Sequence, residues 1–465
     1  VKTGAGTLNL NALNSFTGNT VVNEGTLSLN VAGGANGTIR GSLTANTGTL
    51  VRLNAGDVTG YDATTRLHTI NLVGAEMNIA VITNQTLGRA AINMTGAKIT
   101  GIAGSNLDFF NGDGTTNSRV NSLASATTST ISGTQLSIRQ TGGVTFNVED
   151  GTTPSGVDLQ VSSVIAINGA FLNQPLIKAG AGTLELSGIN TYNSNTLVNE
   201  GTLILADNGR LSFTVTDAAT NSISGAGTAE LNGDFAINTA ATTVATGSWV
   251  LENVPSLTGA YGATFQVVNP DGSPWTDAGS DKWTKVDGTK LWTFDETTGT
   301  LVVGPNDPYV GWAASYGLVG GDAAKGADPD GDGEANLLEF ATNSNPTSGS
   351  SRARVYAKMH AIGADNALTY TVAVRSGAIF AAAGSKQTAT KDSVIYTVEA
   401  SDDLATWSSV VVTEVTGGDA TAIRAAITPA LPALDSGWEW KTFRTDDGSA
   451  IDAKDFIRLQ VSTTP

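Results

Sequence analysis

The sequence contains no cysteine, and its only two histidines are His68 and His360. Without cysteine the chain has no disulfide framework, no thiolate nucleophile, no iron–sulfur cluster and no cysteine-ligated zinc. The two histidines lie far apart in the chain, so they form no local zinc motif, and a serine triad would have to recruit one of them. Thiol chemistry is therefore excluded, and general bases of the histidine type are scarce.

Positive charge is also scarce. The 465 residues include 25 Lys and Arg against 42 Asp and Glu, a net charge of −17, and only 14% of residues are charged. Because phosphate contacts need clustered positive charge, we expect no nucleic-acid binding. No run approaches the roughly 20 consecutive apolar residues of a membrane helix, so we expect no membrane span. The length predicts two or three domains.

An internal repeat is present, and its two copies align without a gap. Residues 2–29 read KTGAGTLNLNALNSFTGNTVVNEGTLSL, and residues 178–205 read KAGAGTLELSGINTYNSNTLVNEGTLIL. Each copy holds two short segments that alternate apolar and polar residues, the period of a strand with one buried face. Glycines precede these segments, where tight corners need positive φ. The pattern predicts a parallel β-solenoid or a β-sandwich, and the repeat favours the solenoid.

The string G-A-G-T-L-x-L, an aromatic at Phe16 or Tyr192, and V-N-E-G-T-L-x-L together resemble the autotransporter-associated β-strand repeat, also called the passenger-associated transport repeat. The resemblance implies a right-handed parallel β-helix over residues 1–304. It also implies an extracellular or outer-surface location on a Gram-negative bacterium, as a stalk or adhesin.

The sequence also predicts the length of each coil and the residues that cap the solenoid. With about 20 residues per coil, we expect roughly 15 coils, stacked about 4.8 Å apart. Asn and Thr at equivalent corners should form ladders along the axis. Four late tryptophans are expected to plug or cap the core rather than to bind a ligand: Trp249, Trp275, Trp283 and Trp292.

The sharpest chemical motif is the acidic loop at residues 328–339, which reads D-P-D-G-D-G-E-A-N-L-L-E. In an EF-hand loop, positions 1, 3, 5, 7, 9 and 12 supply oxygen ligands, and position 6 is a glycine. Gly333 falls at position 6. The six predicted Ca²⁺ ligands are Asp328, Asp330, Asp332, Glu334 (through its backbone carbonyl), Asn336 and Glu339. The alternative interpretation is a solvated Asp/Gly-rich linker.

The surroundings of this loop suggest a joint between domains. No second loop lies nearby, so the segment resembles the lone calcium sites of dockerin or thrombospondin type 3 modules. We expect a helix over Pro308–Leu318 before the loop and another over Ala335–Thr342 after it. Residues 305–350 would then form a helical calcium-binding joint, and Ca²⁺ would stiffen the hinge between the rod and a terminal domain.

Residues 351–465 are predicted to form a small antiparallel β-sandwich. Strands are expected over residues 369–374, 394–400, 409–415 and 456–461. The segment Y-x-V-E-A-S-D-D-L-x-x-W at residues 396–407 resembles the terminal domain of bacterial surface proteins. The predicted fold class is therefore all-β: a parallel β-helix, a short helical joint and an antiparallel sandwich.

Two classes of function compete for such a chain. Some β-helix proteins bind or degrade polysaccharides, and a degrading enzyme would gather basic and acidic residues on one face. Here Arg52, Arg66 and Arg89 are scattered without companion acids. We therefore expect a non-enzymatic structural or adhesive surface protein. Its candidate partners are further copies of itself, joined head to tail into a fibre, and cell-surface glycans.

Overall fold

The computed structural model describes residues 1–62, 64–111, 116–168, 173–255, 261–362, 365–445 and 455–463. The chain divides into two compact units, Val1–Pro305 and Asn306–Pro465. No helix among the described residues is long and apolar enough to cross a membrane.

The first unit is built from short strands. In its first half these are β1 (Thr7–Leu10), β2 (Thr20–Val22), β3 (Thr26–Leu29), β4 (Gly41–Ala45), β5 (Leu50–Leu53), β6 (Leu67–Val73), β7 (Glu76–Ile79), β8 (Asn84–Gly88), β9 (Ala91–Thr95), β10 (Lys98–Gly101), β11 (Asn106–Phe110), β12 (Arg119–Ser122), β13 (Ser129–Ser132), β14 (Gln135–Arg139) and β15 (Val144–Val148). In its second half they are β16 (Leu159–Val161), β17 (Ile165–Ile167), β18 (Leu176–Ala179), β19 (Thr183–Leu186), β20 (Thr196–Val198), β21 (Thr202–Leu205), β22 (Arg210–Thr216), β23 (Ile223–Ser224), β24 (Thr228–Leu231), β25 (Asp234–Ala241), β26 (Gly247–Val250), β27 (Glu252–Asn253), β28 (Val267–Val268), β29 (Thr276–Gly279), β30 (Lys282–Asp287), β31 (Lys290–Asp295) and β32 (Thr300–Pro305).

Successive coils stack their strands into parallel sheets. One ten-stranded sheet runs β1-β3-β5-β7-β10-β13-β16-β19-β21-β24, and a second runs β2-β4-β6-β9-β12-β15-β18-β20-β23-β27. Two smaller parallel sheets add a third side to some coils, β8-β11-β14-β17 and β22-β25-β28. The predicted parallel solenoid is confirmed.

The predicted number of coils is wrong. The two long sheets have ten rungs, or nine turns, rather than roughly 15 coils. The coils are longer than expected because the middle ones carry an additional strand and its turns. Between β1 and β3, for example, the chain passes through β2 alone, whereas between β10 and β13 it passes through both β11 and β12.

An aliphatic column explains why the chain winds in this register. One inward position of the first sheet is apolar on every rung, so each coil covers the apolar surface of the next. Its paired residues, in order, are Leu8, Leu27, Val51, Met77, Ile99, Ile131, Val161, Leu186, Leu205 and Leu231. All of them except Leu8 on the first coil are buried.

Polar ladders and glycine corners complete the coils, as predicted. At the corners that follow β1, β3 and β5, Asn30 Nδ2 donates to Asn11 Oδ1 and Asn54 Nδ2 donates to Asn30 Oδ1, both at 2.8 Å. Gly25 has φ +67°, and a Cβ there would lie 2.5 Å from the carbonyl oxygen of Gly6. This corner therefore requires glycine for both conformation and space.

An antiparallel sheet, β26-β32-β31-β30-β29, shares the hydrophobic core of the last rungs. The Trp249 and Trp292 ring centroids are 5.6 Å apart, and Trp275 is also buried. The prediction that the late tryptophans enter the core is confirmed for these three, while Trp283 is half-buried.

Among its described residues, the second unit contains three helices and two sheets. The helices are α1 (Pro308–Ser315), α2 (Asn336–Thr342) and α3 (Gly417–Ala425), with a 3₁₀ turn at Gly320–Ala323. The strands are β33 (Val355–Ile362), β34 (Asp365–Arg375), β35 (Ala381–Ala383), β36 (Lys386–Lys391), β37 (Val394–Ser401), β38 (Val412–Val415), β39 (Trp438–Thr445) and β40 (Phe456–Thr463).

These strands form two four-stranded antiparallel sheets, β33-β34-β39-β38 and β35-β36-β37-β40. Phe380 bridges them in the shared core, with its ring centroid 6.1 Å from Tyr396 and 4.8 Å from Phe443. The predicted antiparallel sandwich is confirmed.

The helical segments differ from the sequence-based prediction in two places. α1 ends at Ser315, before the predicted Leu318, because the chain turns at Gly317, which has φ +72°. α3 was not predicted, because its first residues are two glycines, which are poor helix formers. α2 ends at Thr342, as predicted, and Asn343 follows it in the left-handed conformation.

Candidate metal centre

The acidic loop leads directly into α2. Gly331 and Gly333 have φ of +73° and +90°, so both use backbone conformations that glycine adopts without strain. Gly333 is the residue predicted for the sharp turn at position 6. α1 ends at Ser315, and the 3₁₀ turn lies between it and Asp328. The loop is thus followed by a helix but is not directly preceded by one.

Backbone N–H groups fold the loop around Asp328. Oδ1 of this residue accepts from the N–H groups of Gly331 and Asp332 at 3.0 and 3.1 Å, and Oδ2 accepts from Gly333 at 2.9 Å. These bonds stabilise the carboxylate and hold the pKa of Asp328 below its usual value. One oxygen from each of Asp328, Asp330 and Asp332 falls within 4.8 Å of the others.

Glu339, the ligand predicted at position 12, is buried beside these aspartates. Its side chain is fully buried, and neither carboxylate oxygen has a hydrogen-bond partner among the described residues. Burial, followed by the negative charges of Asp330 and Asp332, raises the pKa of Glu339 to about 8. A buried carboxylate without a partner is costly. A divalent cation with oxygen ligands is the group that this arrangement fits.

The other two predicted ligands have additional side-chain contacts. Glu334 was predicted to act through its backbone, and its Oε2 accepts from the N–H of Ala353 at 2.6 Å. Asn336 is buried, and its Nδ2 donates to the carbonyls of Asp322 at 2.7 Å and Ala324 at 2.9 Å. These two side chains therefore hold neighbouring segments against the loop. The structure brings Asp328, Asp330 and Asp332 together, with Glu339 buried beside them.

Arg352 was not predicted to belong to this site. Its Nη1 lies 3.1 Å from Asp332 Oδ2 and also donates to the backbone carbonyl of Asp332. The guanidinium thus offsets part of the negative charge of the cluster. Sequence spacing gave no signal for it, because Arg352 follows the loop after α2 and an irregular segment.

The residues considered for catalysis are dispersed. Arg66 is buried and donates to the backbone carbonyls of Gly88 and Asp62, so it supports the coil. Arg52 and His68 are exposed on different strands, β5 and β6.

The two repeat copies share a buried lysine clamp. Lys178 Nζ donates to the carbonyls of Ala179 at 3.1 Å, Gly180 at 2.5 Å and Glu200 at 2.9 Å. Lys2 contacts the matching carbonyls in the first copy, including Glu24 at 2.8 Å. The ammonium thus joins the glycine corner of one coil to the N-E-G corner of the next. Burial lowers the pKa of Lys178 to about 8.

The same two segments match a known family. The family model of the passenger-associated-transport-repeat matches residues 1–29 and 176–205. No curated protein and no solved structure has significant similarity to the chain. The matched segments contain the lysine clamp, the glycine corners and two equivalent sets of strands, β1–β3 and β19–β21. The repeat and the parallel solenoid together fit the passenger of a surface-type autotransporter.

Proposed function

We propose that this protein is a non-enzymatic, surface-exposed structural or adhesive protein whose second unit is stabilised by Ca²⁺. The solenoid acts as a spacer, since its coils are joined by backbone ladders and by a continuous apolar core. The passenger-type repeat supports the extracellular setting, where Ca²⁺ is available. The calcium proposal depends chiefly on Glu339, a buried carboxylate without a partner among the described residues, beside three converging aspartates.

The position of α2 explains how a cation in the loop would stabilise the whole unit. Phe340 on α2 is fully buried, its carbonyl accepts from Trp438 Nε1 at 2.7 Å, and the carbonyl of Ala341 accepts from Tyr396 Oη at 3.1 Å. α2 is therefore anchored to both sheets of the sandwich. Bound at the loop, Ca²⁺ would neutralise the clustered carboxylates, and Asp328, Asp330, Asp332 and Glu339 would hold it.

Thermal unfolding of the full chain tests this proposal. We expect added Ca²⁺ to raise the melting temperature of the second unit relative to a chelator, with Mg²⁺ giving a much smaller effect. Asp330→Asn should reduce the calcium response. Asp322→Asn, an exposed acid in the preceding 3₁₀ turn, is the matched control and should leave the response unchanged. Identical unfolding curves in Ca²⁺ and in chelator would contradict the proposal.

A further inference from the structure

A second candidate site lies in the second unit, between α1, α2 and the start of β39. It is an open cavity of about 360 Å³, within the range of small-molecule pockets. Its wall includes the aromatic side chains of Trp312, Tyr316 and Trp438. The Trp312 and Tyr316 ring centroids are 5.3 Å apart with planes inclined by 64°, so the rings form a corner rather than a parallel slot.

A fixed cation forms another part of the wall. The guanidinium of Arg375 lies 4.1 Å from the Trp438 ring centroid and 4.8 Å from that of Phe340. Its Nε donates to Asp392 Oδ2 at 2.7 Å. No acceptor among the described residues engages Nη1 or Nη2 of Arg375. These two nitrogens are therefore oriented to donate hydrogen bonds to a ligand in the cavity.

A carboxylate is fixed on the same wall. Asp435 Oδ2 accepts from Asn343 Nδ2 at 2.7 Å, and the N–H of Asp435 donates to Asn343 Oδ1 at 2.9 Å. Asn343 is buried at the end of α2, so this pair fixes the position of Asp435. The wall thus offers a carboxylate acceptor as well as the Arg375 donor, whose charge is already offset by Asp392.

Trp312 is held firmly in the wall of the cavity. Its side chain is only 7% exposed and lines the cavity, yet its indole Nε1–H has no acceptor in the part of the chain that the structure describes. A buried donor without a partner is rare in folded proteins. Because this nitrogen is itself inaccessible to solvent, a ligand in the cavity would pack against the indole ring and would not reach Nε1.

We propose that this cavity binds one or two residues of a neutral saccharide. Sugar rings present C–H faces that pack on aromatic rings and hydroxyls that both donate and accept hydrogen bonds. Trp312, Tyr316 and Trp438 provide the rings, and Arg375 and Asp435 provide the polar contacts. Because Asp392 already offsets the charge of Arg375 and Asp435 adds a negative charge, the wall favours neutral over anionic sugars. This inference identifies a glycan contact for the proposed surface protein and does not depend on Ca²⁺ binding.

Isothermal titration calorimetry on the full chain tests the proposal. The probes are four tetrasaccharides at millimolar concentration, made of β-linked glucose, β-linked galactose, β-linked N-acetylglucosamine and α-linked mannose. We expect at least one of them to bind. Tyr316→Ala should weaken that binding about tenfold by removing one ring.

Tyr356→Ala is the matched control. Tyr356 is also half-buried, and its ring packs 5.7 Å from Trp440 in the same unit, but it does not line the cavity. This variant should bind with the wild-type affinity. The proposal is overturned if none of the four tetrasaccharides binds, or if Tyr316→Ala binds as tightly as the control. Either result would leave the calcium response of the wild type unaffected, so the two proposals fail separately.

Discussion

The Glu339→Gln variant should be more stable than the wild type without Ca²⁺ and less stable than the wild type with Ca²⁺. Burial and the neighbouring aspartates raise the pKa of Glu339 from 4.5 to about 8. One pKa unit corresponds to about 1.4 kcal/mol, so at pH 7 this residue costs the metal-free protein about 3 kcal/mol. Glu339→Gln keeps the shape and removes the charge. Without Ca²⁺ we therefore expect the variant to be more stable than the wild type by up to about 3 kcal/mol.

Saturating Ca²⁺ should invert this order. A ligand at one thousand times its dissociation constant stabilises the protein that binds it by about 4.1 kcal/mol, which exceeds the advantage of the variant. The wild type should gain this stability, whereas Glu339→Gln lacks the carboxylate that closes the ligand set at position 12 and should gain little. Urea unfolding of the full chain at pH 7, followed by tryptophan fluorescence in chelator and in Ca²⁺, measures both free energies of unfolding.

Glu334→Gln is the matched control for this pair of experiments. It removes one negative charge from the same loop, but at a side chain that contacts Ala353 rather than the converging aspartates. It should lose much less of the calcium response than Glu339→Gln does. If Glu339→Gln is less stable than the wild type both with and without Ca²⁺, Glu339 is a structural residue and the calcium interpretation is refuted.

Three further predictions concern the lysine clamp, Arg352 and the core near the end of the solenoid. The pKa of Lys178 is about 8 in the folded protein, against an ordinary value of 10.5. Between these two pH values the unfolded chain binds more protons than the folded protein, so the free energy of unfolding rises with pH. Urea unfolding near pH 8 and near pH 10 should show the wild type gaining about 2 kcal/mol relative to Lys178→Met; a constant difference would contradict a buried charge. Arg352→Gln should tighten calcium binding about three- to tenfold by calorimetry, because a positive charge near Asp332 is removed; unchanged affinity would argue against a ligand role for Asp332. Trp292→Ala should destabilise the first unit by about 3–5 kcal/mol in the same unfolding assay. The control Val286→Ala, at an exposed position, should have little effect. Equal losses of stability in the two variants would contradict the capping role of Trp292.

The lysine clamp gives a physical reason for the most recognisable letters of the repeat. In both copies the ammonium bonds to the backbone of the N-E-G corner, at the carbonyls of Glu24 and Glu200. Any residue could supply those carbonyls, but only glycine can follow at the tight turns. At Gly25 and Gly201 a Cβ would lie 2.5 Å or less from a carbonyl oxygen of the preceding coil. The repeat letters thus encode the contact between two coils.

The amino-acid sequence by itself determined the winding of the first unit. Strand segments, glycine corners and asparagine ladders are local patterns that recur along the chain, and each coil packs only on its neighbours. The same holds for the acidic loop, because Asp328, Gly333 and Glu339 occupy fixed positions within one short segment. The number of residues per coil could not be predicted from the sequence, because the additional strands in the middle coils depend on how those coils close.

Tertiary structure alone decided the features that join distant segments. Arg352 reaches Asp332 only because the chain returns past the loop after α2. Trp312, Arg375 and Asp435 line one cavity although they are far apart in the chain. Burial of Glu339 without a partner among the described residues is likewise a property of the folded unit, because desolvation depends on which segments pack over a residue and not on its neighbours in sequence.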